Sequence, residues 1–165
     1  MIDAEGYRPN VGMIVVNDDI EVLWAKRLGQ GGFQFPQGGI KEHETPEQAL
    51  YRELEEELGL VEKDVSIIGV TAGWLKYRLP EQYLRQDNDR GFVGQKQKWF
   101  LLRLTEDESK IDLAKSGSPE FDDFTWVAYW YPIDHIIEFK KSVYERALQE
   151  LAPVAETFYG RKIPR

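Results

Sequence analysis

A cluster of carboxylates lies a short distance after the glycine pair at 38–39. On a helix, at about 100° per residue, Glu53, Glu56 and Glu57 fall within about 100° of one another, whereas Glu55 points away from them. Three carboxylates without nitrogen or sulfur ligands suit Mg²⁺ or Mn²⁺ bridged to substrate phosphates. The spacing therefore predicts a divalent-metal site for phosphate chemistry, with Mg²⁺ as the expected ion and Mn²⁺ as its substitute.

The segment around these acids carries clear signals for the start and the end of a helix. Thr45 suits the N-cap, Pro46 suits the first helical position, and Gln48 completes a capping box, so the helix should begin at about residue 46. Gly59 predicts its end. An adjoining apolar stripe predicts the face that packs on the core: Leu50, Leu54 and Leu58.

A solvated surface helix is the alternative explanation for these acids, because exposed like-charge pairs on a helix cost only about 0.2–0.5 kcal/mol each. The wider pattern decides between the two: Gly38, five residues, Glu44, seven residues, and then Arg52-Glu53-Leu54-x-Glu56-Glu57-x-Gly59-Leu60. At about 7% for each fixed residue type, a chance match is on the order of one in a billion per window. This pattern is the Nudix box, and around it the chain resembles the Nudix hydrolases.

Blocks outside the box narrow the resemblance to the bacterial RNA pyrophosphohydrolases, also described as dinucleoside polyphosphate hydrolases. They are spread over most of the chain, at 6–12 (GYRPNVG), 34–39 (QFPQGG), 94–102 (GQKQKWFLL), 119–121 (PEF) and 130–132 (WYP). The resemblance implies an α/β fold, the Nudix α/β/α sandwich with a central mixed β-sheet. We expect a hydrolase domain at 1–152, with the Nudix box at 38–60, and a C-terminal tail at 153–165 that is loosely held after Pro153.

The resemblance also implies roles for individual acids. Glu53, Glu56 and Glu57 would hold the metal ions, the backbone carbonyl near Gln37 would add a ligand, and Glu120 would enter from a distant loop. These four glutamates form the expected catalytic set. The general base stays open among Glu56, Glu57 and Glu120.

Two further residues of the box are expected to support the acids rather than to bind metal. Arg52 can pair with Glu56 one helical turn later, and Glu44 lies just before the helix start, where a negative charge is favoured.

A second implied set would bind substrate. Five residues would line the polyphosphate path: Arg8, Arg27, Tyr77, Gln95 and Lys98. Phe139 and Lys140 would hold a base near the 5′ end, as aromatic residues commonly do for single-stranded RNA. Phe139 could equally be a core residue at a helix start, and Arg27 could be merely exposed at a strand end.

The charge distribution also bears on the substrate. The net charge is −8, which argues against a protein that grips nucleic acid over its whole surface. Residues 76–103 differ, because seven basic and three acidic residues give this segment a charge of +4 and leave −12 on the remainder. The segment is either a solvated loop or a phosphate-docking surface. Lys96 and Lys98 alternate on a predicted strand and should share one face.

Apolar runs predict five strands: 11–17, 21–27, 65–72, 95–104 and 124–130. A short helical turn is expected at 133–137 and a longer helix at 139–151.

Composition and length fit one small domain. The chain has 165 residues, 42% of them hydrophobic, which suffices for a core. The absence of cysteine excludes disulfides and thiolate metal sites. No segment approaches the length of a membrane span or a secretory signal, so we expect a cytoplasmic protein without membrane contact.

Three functions are consistent with the sequence. The first is an Mg²⁺-dependent hydrolase that converts the 5′-triphosphate or diphosphate end of single-stranded RNA to a monophosphate and so promotes mRNA decay. The second is hydrolysis of dinucleoside polyphosphates, which uses the same carboxylates on the same bond type. The third is a Nudix-fold module that binds nucleotides or RNA without cleaving them, although the intact acid set argues against it. The sequence identifies no protein partner.

Overall fold

A computed structural model describes residues 1–29, 31–84 and 90–165 of the chain. Arg85, Asp87 and Asp89 of the basic segment therefore lie outside the described residues. Eight strands are found within the described part: β1 Tyr7–Val16, β2 Glu21–Arg27, β3 Phe33–Gln34, β4 Gln37–Gly39, β5 Val65–Val70, β6 Leu75–Arg78, β7 Gly94–Leu104 and β8 Phe121–Ala128. Three α-helices accompany them: α1 Pro46–Leu58, α2 Glu81–Leu84 and α3 Lys141–Tyr159.

The strands form one mixed sheet. Its main order is β3-β2-β1-β7-β5, while β4 pairs with β1, β6 with β7 and β8 with β2. The central pair β1 and β7 is parallel, and the other pairs are antiparallel. The antiparallel pairs include β1 with β2, the strands predicted at 11–17 and 21–27.

Alternation along β1 explains why both faces of the sheet are covered. Val11, Met13 and Val15 are fully buried in the core on the side of α1, with its three leucines. Ile14 and Val16 point the other way, into the core that α3 covers. Because successive side chains of a strand leave opposite faces, an apolar run such as this one requires a layer on each side. The α/β/α sandwich with a central mixed sheet is therefore confirmed.

The prediction of a loosely held tail is wrong for residues 153–159, because they belong to α3. The helix continues past the exposed Pro153 because its apolar face continues on the far side, at the buried residues Ala152 and Ala155. Packing of that face outweighs the hydrogen bond that the proline cannot donate. The boundary expected at residue 152 thus cuts through a helix.

Three short strands were missed, namely β3, β4 and β6, because two to four residues give no readable periodicity. The predicted helical turn at 133–137 is a 3₁₀ turn at Tyr131–Asp134, and a second 3₁₀ turn, Glu138–Lys140, leads into α3. Within the described residues, no helix is both long enough and apolar enough to cross a membrane.

Candidate active site

The start of α1 is held by the capping box that its sequence predicts. The side-chain oxygen of Thr45 accepts from the backbone N–H of Gln48 at 3.1 Å, and Oε1 of Gln48 accepts from the backbone N–H of Thr45 at 2.9 Å. The helix ends at Gly59, which adopts the left-handed conformation with φ of 70°. These local bonds fix where the acidic residues stand relative to the strand before them.

The side chain of Glu53 on α1 occupies the space that a side chain at position 38 of β4 would need. A Cβ atom added to Gly38 would lie 2.0 Å from the Cδ atom of Glu53, which is inside van der Waals contact. Gly38 therefore allows the carboxylate of Glu53 to lie directly against the backbone of β4.

Arg52 holds three parts of the box together. Its guanidinium donates to both carboxylate oxygens of Glu44, at 2.7 and 2.9 Å, to Oε1 of Glu53 at 2.8 Å and to the carbonyl oxygen of Gly39 at 2.8 Å. The expected contact with Glu56 is present but longer, at 3.5 Å. Hydrogen bonds from Arg52 lower the pKa of Glu44 to about 2, because they stabilise its charged form.

Glu57 is a buried carboxyl group without sufficient compensation. Its residue is 5% exposed, and its Oε2 atom has no hydrogen-bond partner. Burial raises the pKa of Glu57 well above the usual value, the negative charges of Glu53 and Glu120 raise it further, and a backbone hydrogen bond from Gln37 opposes the shift. A cation beside Glu57 would relieve both the burial and the repulsion.

The donor set fits a hard divalent cation. It consists of carboxylate oxygens, one of them an unpartnered buried atom, with no sulfur ligand in the chain. In the part of the chain that the structure describes, however, no three acidic or histidine side chains already converge as a metal cluster. Arg52 engages one oxygen of Glu53 and approaches Glu56, whose side chain is half-exposed. A bound cation would share these carboxylates with the guanidinium.

A cavity of about 360 Å³ lies on the α3 side of the sheet. Its lining includes seven of the twelve residues that the sequence predicts to bind metal or substrate: Arg27, Gln37, Tyr77, Gln95, Glu120, Phe139 and Lys140. Gln37 and Glu120 connect this cavity with the acids of α1, since both act on the carboxyl group of Glu57. The structure therefore brings most of the predicted substrate residues to one place beside the predicted metal residues.

A chain of polar side chains crosses the floor of this cavity. The hydroxyl of Tyr77 donates to Oε1 of Gln95 at 3.0 Å, and Nε2 of Gln37 lies 3.5 Å from the same oxygen. On its other side, Oε1 of Gln37 accepts from Nζ of Lys140 at 3.5 Å and from Nε2 of Gln97 at 3.3 Å. Gln37 is thus the side chain at which the network branches.

Gln97 and Asn10 were not foreseen from the sequence, although a signal was present. Gln97 is 1% exposed, and its Nε2 atom donates to Oδ1 of the buried Asn10 at 2.8 Å. Alternation along β7 places Gln95, Gln97 and Trp99 on one face. The signal is that glutamines alternate along β7 just as the lysines do, on the opposite face of the sheet.

The cavity has an aromatic wall. The ring of Phe139 lies 5.4 Å from that of Tyr83 and 6.0 Å from that of Tyr77. Phe139 is half-buried, so it packs on the core and also faces the cavity, which combines the two explanations offered by the sequence. Tyr83, which no sequence signal indicated, and His135 complete the lining on this side.

Two cations face the cavity from opposite elements. Lys140 precedes α3, and Arg27 ends β2. Burial lowers the pKa of Lys140 to about 8, and the positive charge of Arg27 contributes to the shift. Arg27 and Lys140 repel each other in this half-enclosed cavity. An anionic ligand between them would relieve the repulsion, so the site is suited to such a ligand.

Arg8 lies beside the cavity rather than in its lining. It is the partner of Gln95 in the register of β1 and β7, and its guanidinium lies 4.1 Å from the centre of the Phe92 ring.

Lys98 is not brought to the cavity. The structure confirms that Lys96 and Lys98 share a face, since their ammonium groups lie 4.9 and 5.4 Å from the ring of Trp74. This is the α1 face of the sheet, opposite to Gln95, and Nζ of Lys98 donates to the carbonyl oxygen of Ala72 at 2.8 Å. The alternation of β7 thus places Lys98 on the face of the sheet opposite to this cavity.

Comparisons with known proteins find similar chains over nearly the whole length of this one. The NUDIX domain family matches residues 6–151. An RNA pyrophosphohydrolase of Acinetobacter baylyi is 56% identical over 161 residues, which cover 96% of this chain and 97% of the relative. An RNA pyrophosphohydrolase of Aliivibrio salmonicida is 53% identical over 165 residues, which cover 100% and 97%.

Solved structures share the fold. The dihydroneopterin triphosphate pyrophosphohydrolase of E. coli has a TM-score of 0.67 and an identity of 19%, and the match covers 87% of this chain and 98% of that one. At this identity the likeness concerns the fold alone.

Proposed function

This chain belongs to the Nudix family, and we propose that it is a hydrolase that removes pyrophosphate from the 5′-triphosphate end of single-stranded RNA. The observation that carries the proposal is the adjacency of the buried Glu57 to a cavity with two cations and an aromatic wall. The names of relatives more than 50% identical over nearly the whole chain support the choice of RNA. The product would be a 5′-monophosphate RNA, which is exposed to decay, and the site of action would be the cytoplasm.

We assign the metal-holding role to the carboxylates of Glu53, Glu56, Glu57 and Glu120 and to the backbone carbonyl of Gln37. Nudix hydrolases use divalent cations, and we propose Mg²⁺, with Mn²⁺ as a substitute. When bound, such ions neutralise polyphosphate charge and lower the pKa of a bound water for in-line attack on phosphorus.

The protein's own groups would position the acids and accept the proton. Gly38 and Arg52 hold Glu53 against β4, so the carboxylate does not have to be ordered when substrate arrives. The proton of the attacking water would pass to one of Glu56, Glu57 or Glu120, the three candidates for the general base.

The cavity would bind the RNA end. Arg27 and Lys140 face the phosphates, and the Tyr77–Gln95 pair offers further polar contacts along the same floor. Phe139 offers a half-buried ring on which a base can stack. Stacking tolerates several bases, which fits an enzyme that acts on many transcripts.

The test is a competition in one reaction between γ-labelled 5′-triphosphate RNA and diadenosine tetraphosphate, with Mg²⁺. We expect labelled pyrophosphate and 5′-monophosphate RNA, faster turnover of RNA than of the dinucleotide, and loss of both activities with a chelator. Preferential turnover of the dinucleotide would overturn the choice of substrate. Binding of the RNA without release of label would overturn the enzymatic function itself.

A further inference from the structure

Two amide side chains are buried in the centre of the sheet, where apolar residues would be expected. Asn10 of β1 is 4% exposed and Gln97 of β7 is 1% exposed, and they lie opposite each other in register. A buried amide is costly unless it is hydrogen-bonded. Nε2 of Gln97 meets this requirement with two acceptors, Oδ1 of Asn10 at 2.8 Å and Oε1 of Gln37 at 3.3 Å.

The chemistry of Lys140 fixes the direction of this chain of hydrogen bonds. A lysine ammonium can only donate, so the Gln37 atom 3.5 Å from Nζ must be oxygen. The Gln97 atom that faces the same oxygen must then be nitrogen, and Asn10 must offer oxygen in turn. The Nε2 atom of Gln37 is consequently directed to Oε1 of Gln95. One arrangement of the four amides, those of Asn10, Gln37, Gln95 and Gln97, satisfies every contact.

We propose that Gln97 is a positioning residue for substrate binding, which acts through the Gln37 amide to place the Lys140 ammonium in the cavity. Gln97 touches no substrate itself. It keeps the oxygen of Gln37 facing Lys140 and the amide nitrogen facing Gln95, and so fixes both ends of the polar floor. The role rests on the proposed function, since it concerns the same cavity, but it applies to any polyphosphate that binds there.

The first test is Gln97→Glu, which keeps the size of the side chain but replaces its two donors by acceptors. The new carboxyl group has at most one donor and therefore cannot satisfy the oxygens of both Gln37 and Asn10, so we expect Gln37 to turn its amide nitrogen inward and its oxygen away from Lys140. We expect KM for the substrate to rise about tenfold, the scale of one lost hydrogen bond to a charged group, while kcat changes less than about threefold. Gln97→Met, which removes the hydrogen bonds without repulsion, should raise KM less.

A double-mutant cycle separates this role from a structural one. In a Gln37→Ala background, which keeps the Gln37 backbone, Gln97→Glu should raise KM no further, because the side chain through which it acts is gone. An equal rise in both backgrounds, or a loss of kcat in place of the KM effect, would overturn the proposal.

The same cycle covers two further outcomes. Melting curves establish that each variant is folded, and if Gln97→Glu does not fold, the cycle is completed with Gln97→Met under the same criterion. The substrate is whichever polyphosphate the unmodified protein hydrolyses faster in the competition above. If that is diadenosine tetraphosphate, the choice of RNA fails while the cycle still decides the role of Gln97.

Discussion

The two halves of the candidate site are built in different ways. The box, residues 38–60, is one continuous segment whose start, end and acidic face are set by neighbours in the chain. The cavity draws its lining from many separate parts of the chain: the end of β2, the strands β3, β4, β6 and β7, the helix α2, the loop before β8 and the segment before α3. The positions of the acids on α1 are therefore set by neighbouring residues, whereas the cavity depends on how distant segments meet.

The difference extends to the forces that hold each half. In the box, the capping box and the four hydrogen bonds of Arg52 join groups within 13 positions of one another. In the cavity, Tyr77 meets Gln95 across neighbouring strands, and Lys140 meets Gln37 across 103 positions. We expect changes in the box to affect kcat and changes in the cavity to affect KM.

The largest effect that tests this division is expected for Glu53→Ala. The side chain lies against Gly38 and is held by Arg52, so its loss removes a preorganised carboxylate that we propose to bind metal. We expect kcat to fall on the order of 10²- to 10⁴-fold, the scale of a lost catalytic group, with a small change in KM. Steady-state kinetics on 5′-triphosphate RNA measures both constants.

Glu55→Ala is the matched control on the same helix. Glu55 is exposed and pairs with Lys115 at 3.1 Å, away from the acidic face. Its removal should leave kcat unchanged, because exposed ion pairs contribute little. A normal rate for Glu53→Ala, or an equal loss for Glu55→Ala, would break the assignment of chemistry to one face of α1.

A smaller effect, on KM rather than on kcat, is expected for Phe139→Ala. Loss of a ring on which a base stacks costs about 1–3 kcal/mol, so KM should rise roughly tenfold with kcat little changed. Phe158→Ala is the control, since Phe158 is an exposed aromatic residue on α3 that does not line the cavity. If Phe139→Ala lowered kcat and left KM unchanged, the division between box and cavity would not hold.

A third expected effect is confined to stability in acid. The pKa of Glu44 is lowered to about 2 in the folded protein from 4.5, so its pair with Arg52 stabilises the fold above about pH 4.5 and is lost as the pH falls towards 2. Glu44→Gln removes this contribution. Its melting temperature should therefore drop less than that of the unmodified protein between pH 5 and pH 3.

Glu42→Gln is the comparison for this acid effect, because Glu42 lies in the same loop with its side chain largely exposed. Its melting temperature should follow that of the unmodified protein. If the melting temperature of Glu44→Gln fell between pH 5 and pH 3 as much as that of the unmodified protein, the pair of Glu44 with Arg52 would not be what stabilises the box.

The same division explains what the sequence predicted and what it did not. Helix α1 was predicted to the residue at its start because Thr45, Pro46 and Gln48 act on adjacent backbone groups. The short strands β4 and β6 were missed because they form only through pairing with β1 and β7. Gln97 was missed for a related reason, since its partners Asn10 and Gln37 are 87 and 60 positions away.

The position of Lys98 relative to the cavity could not be predicted from the sequence. The sequence showed correctly that Lys96 and Lys98 share a face, but the face itself depends on which core each side of β7 covers. Trp99 and Leu101 belong to the core beside α3, so the even-numbered positions of the strand must face α1. Only the packing of distant elements supplies that information.

The smallest expected effect is accordingly that of Lys98→Ala. Its ammonium group donates to Ala72 and lies over Trp74 on the far face of the sheet, so we expect KM and kcat for 5′-triphosphate RNA to stay within about twofold. Lys140→Ala, measured beside it, removes the same charge from the cavity side and should raise KM roughly tenfold. Because both variants lose one lysine, general attraction of RNA to a positive surface affects them alike and cancels in the comparison. Equal KM values for the two variants would mean that the substrate reaches the α1 face, and that the cavity is not where it is selected.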